Sequence, residues 1–296
     1  MVISDIHATS LGNVQPSFHV LVGKLVEMRP EFIVITGDSV SGFQNDKMPL
    51  ARVRTWWAGL EQSLEPLQQA GIPLYIIPGN HDVYTSEHRQ AYTEAGLRLL
   101  GAAARFTPLH GELPYRYSAD VHGVHLVFLP ITSRTVPDEV LSWLEQDLAT
   151  AAGARLRLVF GHIPLVSVVG RASPRAFQVR LGGPLVRGRA DAYFAGHEHL
   201  VWDETITVHG QPLRTVTVGT ATGGFYNPLS LGRVQQHCRG HRCLLPGTGQ
   251  PFWLRPGGRT QKLTQTFTRV RVQGDQFEVI PQALRRDGRI TGMGGI

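Results

Sequence analysis

Five short segments of this 296-residue sequence each run from apolar residues into side chains able to ligate a metal or carry a proton. They are Ser4-Asp5-Ile6-His7 after Met1-Val2-Ile3, Thr36-Gly37-Asp38 after Ile33-Val34-Ile35, and Gly79-Asn80-His81-Asp82 after Leu74-Tyr75-Ile76-Ile77. Gly161-His162 follows Leu156-Arg157-Leu158-Val159-Phe160, and Gly196-His197-Glu198-His199 follows Ala192-Tyr193-Phe194-Ala195. In an open α/β sheet, ligands gather beyond the carboxyl ends of the strands, which is where these side chains would fall. Asp5, His7, Asp38, Asn80, His162, His197 and His199 together are too many ligands for one ion and enough for two that share a carboxylate. Oxygen and imidazole donors without thiolate suit Mn, Fe, Zn or Co and do not choose among them. The expected cofactor is therefore a pair of divalent or mixed-valence transition metal ions.

The ordered set Asp-x-His, Gly-Asp, Gly-Asn-His-Asp, Gly-His and Gly-His-x-His, running from Asp5 to His199, resembles the calcineurin-like metallophosphoesterase superfamily. The resemblance implies that Asp5, His7, Asp38 and His199 hold one metal, that Asp38, Asn80, His162 and His197 hold the other, and that Asp38 bridges. It implies hydrolysis of a phosphoester by a hydroxide bridging two ions about 3.5 to 4 Å apart. It also implies that His81 contacts the scissile phosphate and protonates the leaving oxygen, with the adjacent Asp82 as its orienting carboxylate. The Gly-Asn-His-Asp form favours a phosphodiester, with small-molecule monoesterase, nuclease and silent metal-binding scaffold as alternatives. Protein dephosphorylation is disfavoured, because Gly37-Asp38-Ser39-Val40-Ser41-Gly42-Phe43 lacks the second Asp and the Arg of the Gly-Asp-x-x-Asp-Arg-Gly motif.

To bring these residues together, the chain must alternate helices and strands and then form hairpins. The expected fold class is α/β, a two-sheet β-sandwich flanked by helices in four layers, as the resemblance also implies. Apolar periodicity places helices over 17–28, 50–70, 86–95 and 137–152, with Ser86 as an N-cap and Pro137 at a first helical position. His88 reads as a surface residue, and His110, His122 and His125 as structural. Alternation places strands over 115–118 and 124–129, a hairpin over 205–218, and strands over 264–272 and 276–280 that finish the second sheet. The passage 164–189, with Arg171, Arg175 and Arg180, reads as variable, its arginines solvated, and the tail from Arg285 is expected to fray. Phe43 lies in a polar connection after Asp38 and could overhang the metals. The ligand spread argues for one domain over 1–296, with 219–258, which contains Phe225, Tyr226, Phe252 and Trp253, as a candidate cap.

The formal charge of +6 rests on arginine, lysine occurring only at 24, 47 and 262. A diffuse positive balance suits a small anionic phosphoester; nucleic acid is a minor expectation, since no aromatic-basic repeat or zinc-finger spacing accompanies it. No apolar run reaches the roughly 18 to 20 residues of a membrane span. As written the chain reads as cytoplasmic, with export an alternative if a leader lies upstream. Cys238 and Cys243, the only cysteines, read as ordinary thiols, a short disulfide loop or an accessory metal site with His237 and His241. Oligomeric state is not legible.

Overall fold

The computed structural model describes residues 1–8, 14–45, 47–167, 175–222, 243–244, 265–285 and 287–292. The architecture is two mixed β-sheets packed face to face with helices outside them. Strands β1 (Val2–Ile3), β2 (Ile33–Ile35) and β3 (Leu74–Ile76) are parallel, with Ile3 opposite Ile35 and Ile35 opposite Ile76, so they end at one height. Helices α1 (Pro16–Met28) and α2 (Leu50–Gln69) make the crossovers and bury Phe18, Leu21 and Leu25, and Val53, Trp56, Trp57, Leu60, Leu64 and Leu67. Helix α3 (Ser86–Ala103) follows, and its N-cap is Thr85, whose hydroxyl oxygen accepts from His88 N. This corrects the expected cap at Ser86, and the expected end near residue 95 falls two turns short.

The second sheet is built from β4 (His110–Glu112), β5 (Arg116–Val121), β6 (Val124–Phe128), β7 (Leu156–Phe160), β8 (Ala192–Ala195), β9 (Val201–Val208), β10 (Gln211–Val218) and β11 (Cys243–Leu244), in the order β11-β9-β10-β8-β7-β6-β5-β4. Helices α4 (Asp138–Thr150) and α5 (Arg175–Arg187) cover its outer face, burying Val140, Leu144, Leu148, Phe177, Leu181 and Leu185. The strands β6, β7 and β8 run parallel and in register. Their inward Phe128, Phe160 and Phe194, with Tyr117 of β5, form a cross-strand stack with centroids 4.5 to 5.3 Å apart. Such aromatic pairs contribute beyond the area they bury. Tyr75 of β3 stacks on Phe128 at 5.2 Å, and the Tyr117 hydroxyl donates to Ile76 O at 2.7 Å and accepts from Ile76 N at 3.0 Å. One tyrosine thus satisfies both edge-facing backbone groups of Ile76, at the end of the strand that leads into Gly79-Asn80-His81-Asp82.

Three expectations about order are corrected. The C-terminal hairpin of β12 (Gln265–Gln273) and β13 (Gln276–Leu284) joins the first sheet, antiparallel to β1 with Val2 opposite Thr268, and does not finish the second. It closes the edge of β1 left open by the parallel strands. The tail does not simply fray, since β14 (Ile290–Gly292) pairs with β13. Part of the variable passage, for which no element was expected, is α5. Most of the candidate cap over 219–258, including its four aromatic residues and Cys238, lies outside the described residues, as does Arg171. No helix among the described residues is long and apolar enough to cross a membrane.

Candidate metal centre

Because the parallel strands end together, the loops after β1, β2 and β3 meet those after β7 and β8 along one seam between the sheets. Backbone bonds lock the loops on each side of the seam: Asp5 N donates to Gly37 O and His7 N to Asp38 O on one side, and Gly196 N to His162 O on the other, each at 3.0 Å. Close approach excludes side chains at the glycines. A Cβ on Gly37, whose φ is +94°, would lie 2.5 Å from Gly79 N and 2.8 Å from His162 Nδ1, and one on Gly79 would collide with Asp38 N and Oδ1. Asp5, His7, Asp38, His197 and His199 all have left-handed backbones, with φ between 51° and 71°. Strain of this kind at non-glycine residues persists only where the surroundings over-determine it, and it clusters at functional sites.

All seven expected ligands are brought to this seam. Asp5, His7, Asp38 and His199 offer ligand atoms within 4.8 Å of one another, and so do Asp38, His162 and His197. Asp38 belongs to both groups. Its Oδ1 accepts from His81 N at 2.9 Å, and its Oδ2 lies 3.1 Å from His162 Nε2 and 3.9 Å from both His7 Nε2 and His81 Nε2. Asn80 enters the second group through Oδ1, 3.1 Å from His162 Nε2. His7 Nε2 and His199 Nε2 approach to 3.0 Å, and His199 Nε2 lies 3.3 Å from Asp5 Oδ1. Two imidazoles turned nitrogen to nitrogen beside a buried carboxylate, borderline and hard donors with no thiolate, fit a transition-metal cation between them.

Electrostatics follow from burial and proximity. Burial would raise the Asp38 carboxyl, but the neighbouring imidazoles, His162 foremost, hold it well below the usual range; Asp5 is lowered in the same way, chiefly by His199. Burial pushes the His7 imidazole down to about 4, the nearby Asp38 and Asp5 only partly opposing it. Burial acts against charge on His162 too, yet the Asp38 carboxylate lifts it to about 9. Carbonyls fix two tautomers. His162 Nδ1 donates to Thr36 O at 2.8 Å and His81 Nδ1 to Gly42 O at 2.5 Å, which leaves each Nε2 for the seam.

A model of the calcineurin-like phosphoesterase family matches residues 1–201, more than half of the chain. The chain belongs to this family. Among individual relatives, the DNA double-strand break repair protein Mre11 of Methanococcus maripaludis is 31% identical over 77 residues, 26% of this chain and 19% of that protein. The purple acid phosphatase PPD1 of yellow lupin superposes with a TM-score of 0.64 at 12% identity, over 98% of this chain and 52% of that one. GAP50, the anchor in the inner membrane complex of Plasmodium, gives 0.57 at 13%, over 99% and 87%. The chain thus spans about a fifth of the Mre11 relative and about half of the phosphatase.

Asp82 is bonded to backbone amides and not to the His81 ring it was expected to orient. Its buried carboxylate accepts from Gly79 N at 2.8 Å, Val40 N at 2.9 Å and Ser39 N at 3.2 Å, and the orienting partner of His81 is the Gly42 carbonyl. Burial and the Asp38 charge push the Asp82 carboxyl up to about 7, against the pull of those amides. His88 is fully buried against Trp56, correcting the surface reading. Sequence reasoning also missed Thr220 and Thr222, whose hydroxyls donate to Asp5 O at 3.0 and 3.1 Å, and Tyr84, whose hydroxyl lies 2.5 Å from Asn80 Nδ2. Thr-x-Thr after a strand carries no signal of its own, since the partner is distant in sequence.

Proposed function

We propose that the protein is a metal-dependent phosphoester hydrolase acting on a phosphodiester, with one ion held by Asp5, His7, Asp38 and His199 and a second by Asp38, Asn80, His162 and His197. The observation that carries this reading is the Asp38 carboxylate shared by two ligand groups. Bound ions would supply Lewis-acid polarisation of the phosphoryl oxygens and a nucleophile drawn from water at neutral pH. The chain's own part is to fix them: Thr36 O sets the ring of His162, and His197 N donates to Asp5 Oδ2 at 3.0 Å, turning that carboxylate. His81, its Nδ1–H donating to Gly42 O, acts as the imidazolium that gives its Nε2 proton to the leaving oxygen and is left as the neutral Nδ1–H imidazole, help of a kind that contributes about 10² to 10⁴-fold. Asp82 acts as the anchor of the loops carrying Asp38 and Asn80.

The diester preference rests on the Gly79-Asn80-His81-Asp82 form. A phosphomonoester is the second reading, favoured by the fold shared with the lupin phosphatase. Protein stripped of metal and reloaded separately with Mn²⁺, Fe²⁺, Zn²⁺ or Co²⁺ is assayed on bis-p-nitrophenyl phosphate and p-nitrophenyl phosphate. Faster turnover of the diester is expected. Preference for the monoester establishes the second reading, and inertness towards both with every ion removes the hydrolase assignment.

A further inference from the structure

Phe43 is a large apolar side chain that the fold leaves 63% exposed above a hydrogen-bonded base. A lone exposed phenylalanine is ordinary; this one stands on backbone fixed from four directions. Ser39 N and Val40 N donate to Asp82, Ser41 N to Ala8 O, and Ser41 Oγ to His7 O. Gly42 gives its carbonyl to His81 Nδ1, and a Cβ there would lie 2.6 Å from His88 Cδ2. The Phe43 ring consequently stands beside His81, centroids 6.1 Å apart and planes 77° to one another, while Tyr84 meets the same imidazole at 5.2 Å. On the hydrolase reading above, on which this inference rests, His81 faces the leaving oxygen. The group attached to that oxygen must then pass Phe43.

We propose that Phe43 is a specificity-determining wall for a planar aromatic group on the leaving-group side of the phosphoester. Stacking on an exposed ring is tolerant of identity because every base or aryl group has a π-face. A nucleobase and a simple aryl alcohol share the chemistry that Phe43 recognises, and the test separates them.

The test compares methyl benzyl phosphate with methyl cyclohexylmethyl phosphate, esters of similar leaving alcohols in which only one leaving group is planar. Released alcohol is measured with the metal-loaded full chain, native and carrying Phe43→Ala, Phe43→Leu or Phe43→Trp. Given the usual strength of base–aromatic stacking, the native protein should favour the benzyl ester by about tenfold in kcat/KM, mainly through KM, with Phe43→Ala and Phe43→Leu abolishing the preference, Phe43→Trp keeping it, and the cyclohexylmethyl ester changing less than about twofold. The methyl ester of thymidine 5′-phosphate beside its abasic analogue gives the second arm: loss on the thymidine ester alone assigns a nucleobase, and loss on the benzyl ester alone an aryl alcohol. Equal losses on planar and non-planar esters, or none on either, overturn the proposal while leaving the hydrolase reading intact. Hydrolysis of no ester with any ion overturns both.

Discussion

Asp38 Oδ2 lies 3.1 Å from His162 Nε2, although Asp38 follows a strand of the six-stranded sheet and His162 a strand of the eight-stranded one. The pair is fully buried, and the His162 ring is turned by Thr36 O, again from the opposite sheet. Closing the two sheets on each other and assembling the candidate centre are therefore one event. A fold that docked the sheets in another register would leave a carboxylate and an imidazole buried and apart, which is costly.

The shared position of Asp38 separates ligand from proton donor. Asp38→Asn should lose both ions, whereas His81→Ala should keep full metal content and lose about 10² to 10⁴-fold in kcat. Elemental analysis of the two purified variants, beside their kcat, checks this. Equal metal loss would contradict the roles.

Asp82→Asn should damage stability more than chemistry. An amide has one acceptor oxygen where the carboxylate meets Gly79 N, Val40 N and Ser39 N, and its NH₂ would confront a donor. Leaving buried amides unpaired costs about 1 to 3 kcal/mol. A urea midpoint lowered accordingly, with the folded variant's kcat well above that of His81→Ala, is the expected outcome; a kcat as low as that of His81→Ala with native stability would restore Asp82 to the chemistry.

Gly79→Ala tests the seam. The new methyl would meet Asp38 N and Oδ1, backbone and candidate ligand at once, with no flexible end to yield. Overpacking of this sort costs about 1 to 3 kcal/mol, and displacement of Asp38 should lower metal content with it. Gly101→Ala, in α3 with nothing within 4 Å of its Cβ, is the control and should be neutral or stabilising by about 0.5 to 1 kcal/mol. Calorimetry and metal analysis on both variants decide the matter.

How much was legible depended on whether a residue's partner was local. The pattern of an apolar strand followed by polar side chains repeats five times, so every loop of the candidate centre was readable, and strands 156–160 and 192–195 stand where their apolar runs put them. Helix α5 was hidden because Gly182-Gly183-Pro184 has the poorest helix propensity, although Phe177, Leu181 and Leu185 keep a strict i, i+4 spacing and are buried. Which sheet β12 would join was not legible, for its alternation suits either edge, and only the open side of β1 decides. The tight contacts at the site, Gly42 O to His81 and Thr220 to Asp5, cross 39 and 215 positions and leave no local trace.

His125 supplies a pH dependence away from the centre. It is buried, with Nδ1 2.8 Å from Asp120 and Nε2 2.9 Å from Asp147, which also accepts from Ser118 Oγ at 2.7 Å. Burial alone would lower the imidazole, but the two carboxylates, Asp147 first, overcome it and raise it above its ordinary value. A base whose folded pKa is raised contributes stability that is fully present below the unfolded value of about 6.5 and is lost as pH rises through the folded value. Asp120 is largely exposed, so solvent screens its share, and Asp147, 11% exposed, carries most of the effect. His125→Gln should therefore cost more stability at pH 5.5 than at alkaline pH, read from urea midpoints of native and variant protein under matched salt. Other titrating groups cancel in that difference, so an equal cost at both pH values would show that the pair is held as neutral imidazole and would remove the charge from this account.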